Sequence, residues 1–476
     1  MPRIAFLILT CLAASAGAQE SRLAADFRGE GDRLKSGCSS FSFGKLASCA
    51  EVLFTDHPMH IAVGSLAPQN GVATGVALEG HWTTENWRNS WNVDGMGSPN
   101  GSWRTGAYIT AVWIRRPKIG DSNGGSSADS QPIVLKSNIS IREQAVFHFY
   151  AENTSLNKIG FFGLGPSTRD TARAYFGMRE AITGANTVIP LWQKLNLAFT
   201  AEANGRFVDI RGAHGQGSPS IEQVYTPATA PGLAAQPAFA QFGQGVRLRP
   251  SFAKDYIRLN YYVGIQEFIA GSSHNSFRRF TTDLQHQFPF YQTTRTLLPK
   301  DHNGPDDCSV DMSSTDHKCP PLMPPPAVGK TRNLEGSVNL RLLISESFVS
   351  TGNVVPFYFQ PTLGGSDING SPALASYQDY RFRAPNILLF RASVEHSISK
   401  LPIGVTAILD EGKVAADRGD VDFSHLRHSY SAGLTLRAGG FPLVYLLFSW
   451  GGHEGMHTSA RMDNSLLGGS YRPSFY

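Results

Sequence analysis

The sequence predicts an all-β fold, a transmembrane antiparallel β-barrel of about 16 strands. Three observations predict it. Apolar and polar residues alternate with period two over long stretches, aromatic residues crowd the ends of those stretches, and no apolar run after the first residues is long enough for a membrane helix. In "KLNLAFTAEANGRF", Leu195, Leu197, Phe199, Ala201 and Ala203 share one face, while Asn196, Thr200, Glu202 and Asn204 share the other. The same alternation runs through "YIRLNYYVGIQEF", "NILLFRASVEHSI" and "SYSAGLTLRAG". A soluble sandwich also alternates. Its strands, however, usually run to about 5–6 residues, whereas many here reach ten or more. Trp82, Trp87, Trp91, Trp103, Trp113, Tyr261, Tyr262, Phe288, Phe290 and Tyr291 fit interfacial girdles. Arg and Glu on the polar faces fit a wet lumen.

The elements follow in order. "MPRIAFLILTCLAASAGAQE" carries one basic residue, an apolar run and Ala16-Gly17-Ala18, the pattern of a signal peptide spanning 1–18. Cys11 lies inside it. Residues 19–60 are expected to form a short periplasmic extension or plug, 61–452 the barrel and 453–476 a C-terminal tail. Strand candidates fall near 71–85, 87–97, 102–116, 133–143, 144–152, 173–190, 194–212 and 238–250. They continue near 256–271, 276–290, 331–348, 354–364, 384–398, 404–415, 427–440 and 442–452. An even count suits a single-chain bacterial barrel. "GSPNG" after Met96 reads as a tight hairpin, whereas 213–237, 299–330 and 364–383 are long connections, expected together on one side. Cys38 with Cys49, and Cys308 with Cys319, form two local pairs, read as disulfides that staple loops; neither pair has the CxxC spacing of a zinc site.

Composition excludes other classes. Net charge is +4 without a Lys/Arg cluster, so nucleic acid is not an expected partner. The acidic loop 301–316 lacks EF-hand spacing, and the 14 histidines scatter without an HExxH pattern, so no metal or cofactor site is assigned. No GxSxG elbow is present. No catalytic residue is assigned and the chain is not expected to be an enzyme. The rivals are a lipase-like barrel, needing Ser, His and an acid at one rim, and a structural or adhesive surface barrel.

"LGGSDINGSPALASYQDYRFRAPNILLFRASVEHSI" and "GVTAILDEGKVAADRGDVDFSHLRHSYSAGLTLRAGGF" together resemble the C-terminal half of the bacterial surface antigen barrels, the superfamily of the BamA and TamA assembly factors and two-partner secretion transporters. The resemblance covers 363–450 and implies a loop near 364–383 folded into the lumen. In that family an Arg-Gly-aromatic triplet in the loop meets the Asp of a strand Asp-x-Gly motif. The strand motif stands here as Asp410-Glu411-Gly412, but Ala375-Ser376-Tyr377 takes the triplet's place and Arg381 is the substitute cation. The loop motif is therefore Gly364, Gly365, Asp367, Tyr377, Asp379, Tyr380 and Arg381, with Asp410 and Gly412 as its strand partner. Pairing of Arg381 with Asp410 is expected, because an unpaired charge in a confined lumen is costly. The resemblance also implies an outer-membrane location and a role in passage or assembly. Implied partners are membrane lipid and lipopolysaccharide, the outer-membrane assembly machinery during insertion, and a separate periplasmic protein. Fewer than 50 residues separate the signal from the first strand candidates, too few for the family's POTRA repeats.

Overall fold

The computed structural model describes residues 59–114, 144–213, 219–271, 273–297, 328–398, 403–438, 441–452, 454–462 and 474. The expected signal segment 1–18, the four cysteines expected to pair (Cys38, Cys49, Cys308 and Cys319) and the acidic segment 301–316 lie outside them.

The strands follow one another around a single sheet. The first eight are β1 (Met59–Ser65), β2 (Val72–Thr83), β3 (Trp87–Gly97), β4 (Trp103–Trp113), β5 (Val146–Phe161), β6 (Ala174–Trp192), β7 (Leu197–Gly212) and β8 (Phe239–Leu248). The two-residue β9 (Ser251–Phe252) precedes β10 (Ile257–Ala270), β11 (Phe277–Leu297) and β12 (Val328–Phe348). Two more short strands, β13 (Thr362–Leu363) and β14 (Phe382–Arg383), pair only with each other. The sheet resumes with β15 (Asn386–Ser397), β16 (Ile403–Ala415), β17 (Arg427–Ala438), β18 (Phe441–Trp450) and β19 (His457–Met462). Each long strand pairs antiparallel with the next from β1 to β19. Among the described residues no pairing joins β19 back to β1.

The two faces of this sheet are those of a membrane barrel. Outward positions are apolar and exposed, including Val76, Val93, Ile109, Phe149, Phe207, Val263, Val405, Leu434 and Phe448. Inward positions are polar and buried, including Asp94, Arg104, Glu152, Glu180, Arg206, Arg279, Asp410 and Arg437. Water-soluble folds place these classes the other way round, so the outer surface is built for hydrocarbon and the inner one for a lumen. Trp82, Trp113 and Trp192 stand exposed at one set of strand ends, with Tyr430 and Trp450 toward the other. Trp87 meets Trp113 edge-on at 4.8 Å. Tyr262 departs from the girdle assignment: it faces the lumen and lies across two glycines. A Cβ at Gly264 would come within 2.2 Å of its hydroxyl, and one at Gly245 within 2.7 Å of its ring.

The strand count agrees with expectation, but its members differ. β1 and β19 are additional, and the barrel therefore extends past Gly452 to Met462. The candidate at 133–143 lies outside the described residues, and the one at 354–364 is not a barrel strand. Pro356 and Pro361 interrupt its backbone donors, and Phe357–Phe359 turn as a 3-10 helix. The three long connections do not share a side. Counting strands along the meander puts β7–β8 and β12–β15 at one mouth and β11–β12 at the other, together with β4–β5.

Candidate functional site

The mouth that holds the β7–β8 and β12–β15 connections carries a buried aromatic cluster. Phe357, Tyr358 and Phe359 are buried at its centre, against Phe161, Phe176, Phe239, Phe268 and Phe277 from the strand ends. Ring centroids of Phe357 lie 5.1 Å from both Phe161 and Phe176, and Phe359 lies 4.9 Å from Phe239, all edge-on. Two buried guanidiniums satisfy the carbonyls of this turn. Arg279 donates to Phe359 O at 2.5 Å and Arg383 to Phe357 O at 2.8 Å. The β7–β8 connection joins the plug through the Phe357 amide, which donates to Pro231 O. Burial pushes the Tyr358 phenol up from its ordinary range.

Residues 362–383 then make a closed loop whose neck is the β13–β14 pair. Gly364 and Gly365 lie in the left-handed region, with φ of 113° and 59°. They also leave room: a Cβ on Gly364 would sit 2.4 Å from Arg381 Cβ, and one on Gly365 2.5 Å from Asp379 Oδ1. Asp367 caps the hairpin by accepting from the Ser371 amide at 2.7 Å. Asp379 accepts from the Ser366 amide at 3.0 Å, and its burial holds the carboxyl above the usual carboxylate range. Tyr377 packs edge-on against Phe382. Leu374 and Tyr380 both have positive φ, 51° and 62°, and both are fully buried.

This loop is tied to the inner wall, as the inward-folded expectation requires. The Leu374 amide donates to Asp410 Oδ2 at 3.0 Å, and the Ser376 amide to Ser429 Oγ at 2.9 Å. Gly412 makes the approach feasible, since a Cβ there would meet Leu388 O at 2.9 Å and the loop's Leu363 at 3.2 Å. The loop also reaches the turns at the mouth. Tyr380 Oη donates to Pro68 O at 2.9 Å in the β1–β2 turn. Arg381 ion-pairs with Glu454 in the β18–β19 turn, and donates to Thr168 Oγ1 and Thr168 O at 2.7 Å each in the β5–β6 connection.

The expected pairing of Arg381 with Asp410 is therefore not formed. Arg391, on the neighbouring strand β15, takes Asp410 in a bidentate pair at 2.6 and 2.9 Å, and also donates to Pro372 O in the loop. The physical reason is reach. Asp410 and Arg391 are register partners on adjacent strands, whereas Arg381 sits on the far limb of the loop, toward the mouth. Arg391, Glu454, Arg279, Arg383 and the Phe357–Phe359 turn are the functional residues missed by sequence reasoning. Arg391 carried a usable signal, the inward phase of β15; Glu454 carried none.

Elsewhere in the lumen Thr110 Oγ1 contacts His148 Nδ1 at 2.9 Å, a hydroxyl–imidazole pair on β4 and β5. Arg206 on β7 donates to Glu180 at 3.0 Å and to Ser474 O at 2.6 Å.

Fold and loop together define a transmembrane β-barrel with an inward-folded loop. The sequence matches no protein-family model and no curated protein. Among solved structures the chain is similar to BamA from Haemophilus ducreyi lacking POTRA domains 1–3, at 9% identity and a TM-score of 0.47, covering 84% of this chain and 68% of that one. It is also similar to CdiB from Escherichia coli (13%, TM-score 0.44, 83% and 59%) and CdiB from Acinetobacter baumannii (10%, TM-score 0.41, 84% and 58%). The chain thus spans about three fifths of either CdiB protein.

Proposed function

We propose that this chain is an outer-membrane barrel that acts in passage or assembly at that membrane, with its lumen held shut at one mouth in the resting state. The observation that carries this reading is the inward loop 364–383, clamped to the wall at Asp410 and Ser429 and to three separate turns at the mouth. A barrel serving only as a surface scaffold has no need of a polar lumen closed by a detachable element. Charge-assisted hydrogen bonds make the clamp specific. The outward apolar belt meets membrane lipid and lipopolysaccharide, and the outer-membrane assembly machinery inserts the chain. A separate periplasmic protein supplies any substrate. The work is done by opening and closing, not by covalent chemistry.

Planar-bilayer recording tests the reading. The wild-type chain should be closed or nearly so, and a variant with 364–381 replaced by a short Gly-Ser link should conduct. Heat-modifiable migration shows that the variant is folded. A folded variant that stays silent overturns the proposal.

A further inference from the structure

A second feature of the lumen lies on the wall formed by β10, β11, β12 and β15, away from the plug. Its register brings two inward rows side by side. One row reads Arg258, Gln287, Asn339, Ser393 and the next reads Asn260, Gln285, Arg341, Arg391. Together they line a cavity of about 260 Å³ whose floor is the intervening backbone.

The three guanidiniums of this bay are not held alike. Arg341 and Arg391 are direct cross-strand partners, an arrangement that repels when like charges stand opposite. Each is held by a carboxylate, Arg341 by Asp283 at 2.9 Å through two nitrogens and Arg391 by Asp410, with the charge of Asp367 in the inward loop also acting on Arg391. Arg258, at the corner of the bay, pairs with no carboxylate among the described residues; it donates to the neutral Tyr291 hydroxyl at 2.6 Å. Of the three guanidiniums, Arg258 is the one held by a neutral hydroxyl. Carboxamides and the Ser393 hydroxyl fill the remaining positions, and no acidic side chain lines the cavity itself.

We propose that this luminal bay binds a phosphate group, with Arg258 as its principal cation and Arg341, Asn339 and Ser393 as further donors. Planar guanidinium forks match phosphate oxygens in pairs, and a guanidinium held by a neutral hydroxyl keeps donors for the ligand to engage. A phosphate group fits the volume with room for a substituent. The same chemistry is offered by free inorganic phosphate and by a phosphomonoester on a lipid headgroup, and the test separates them.

Full-length chain in detergent is titrated calorimetrically with inorganic phosphate, with bisphosphorylated lipid A and with its dephosphorylated form. Saturable binding of inorganic phosphate assigns a free anion. Binding of lipid A alone, lost on dephosphorylation, assigns the headgroup. In either case Arg258→Gln should weaken binding about 10- to 100-fold, the range for one charged hydrogen-bonding group, while Arg258→Lys retains part of it. Heat-modifiable migration of both variants shows that the barrel is intact. No saturable binding of either phosphorylated probe overturns the proposal, as does binding that Arg258→Gln leaves unchanged.

Discussion

Arg391 and Asp410 face each other across β15 and β16, and the bidentate pair between them also holds the inward loop through Pro372 O and the Leu374 amide. One buried charge pair thus fastens barrel and loop at once. We predict that Asp410→Ala destabilises the protein by about 3–5 kcal/mol, because it leaves Arg391 buried and unpaired. Arg391→Ala should cost a similar amount. The double variant should cost clearly less than the sum, read from urea unfolding in lipid vesicles. Additive losses would show that the two residues act separately.

The clamp at the mouth makes an independent prediction. Arg381 pairs with Glu454 and Thr168, so Arg381→Ala should cost about 1.5–3 kcal/mol, the value of hydrogen bonds to a charged group. Glu454→Gln should lose part of the same energy. Hydrogen exchange at the Gln378 amide, which donates to Glu454 Oε2 at 3.2 Å, should quicken in both variants. Combining Arg381→Ala with Asp410→Ala should give near-additive losses, since the two side chains have different partners. Strong coupling between them would contradict the observed pairing.

Much of this architecture was legible in the sequence, and the residues show why. A strand samples its two faces in strict turn, so Phe207 outward and Arg206 inward leave a period-two mark that survives without any tertiary information. The short edge strands β1 and β19 carry too few repeats of that mark, and were missed. Val354, Val355 and Phe357–Phe359 have the composition of a strand, yet their prolines turn them into the plug. The loop's turn chemistry at Gly364, Gly365 and Asp367 was readable, because dihedral demands are local. Its ion partners were not. Glu454 is 73 positions from Arg381, and only the tertiary fold, which sets the β18–β19 turn beside the inward loop, brings them together.

The glycine neck should be intolerant of any side chain. Gly365→Ala places a Cβ at a φ of 59° and 2.5 Å from Asp379 Oδ1, so strain and displacement of a buried carboxylate act together. We predict a loss of about 1–3 kcal/mol. Gly370, also at positive φ but with nothing near its Cβ, is the control, and Gly370→Ala should cost only the conformational part, about 1–2 kcal/mol. Equal effects at the two positions would mean that backbone conformation alone, and not crowding around Asp379, sets the requirement.

Asp379 itself should make loop docking depend on pH. Burial raises its pKa, opposed by the Ser366 amide and the charge of His457, so the docked loop holds a proton more tightly than the released one. Between the released value, near 4, and the raised docked value, the docked state carries more protons. Docking is then strongest below the released value and weakens as pH rises through the docked value. Acidification from about pH 7 toward pH 4 should accordingly slow hydrogen exchange at the Ser366 amide beyond the intrinsic effect of pH. Asp379→Asn keeps an oxygen for that amide and removes the charge. It should stabilise the loop at neutral pH and flatten the dependence. A wild-type loop that instead loosens on acidification would reverse the sign and identify a different group as the one that titrates.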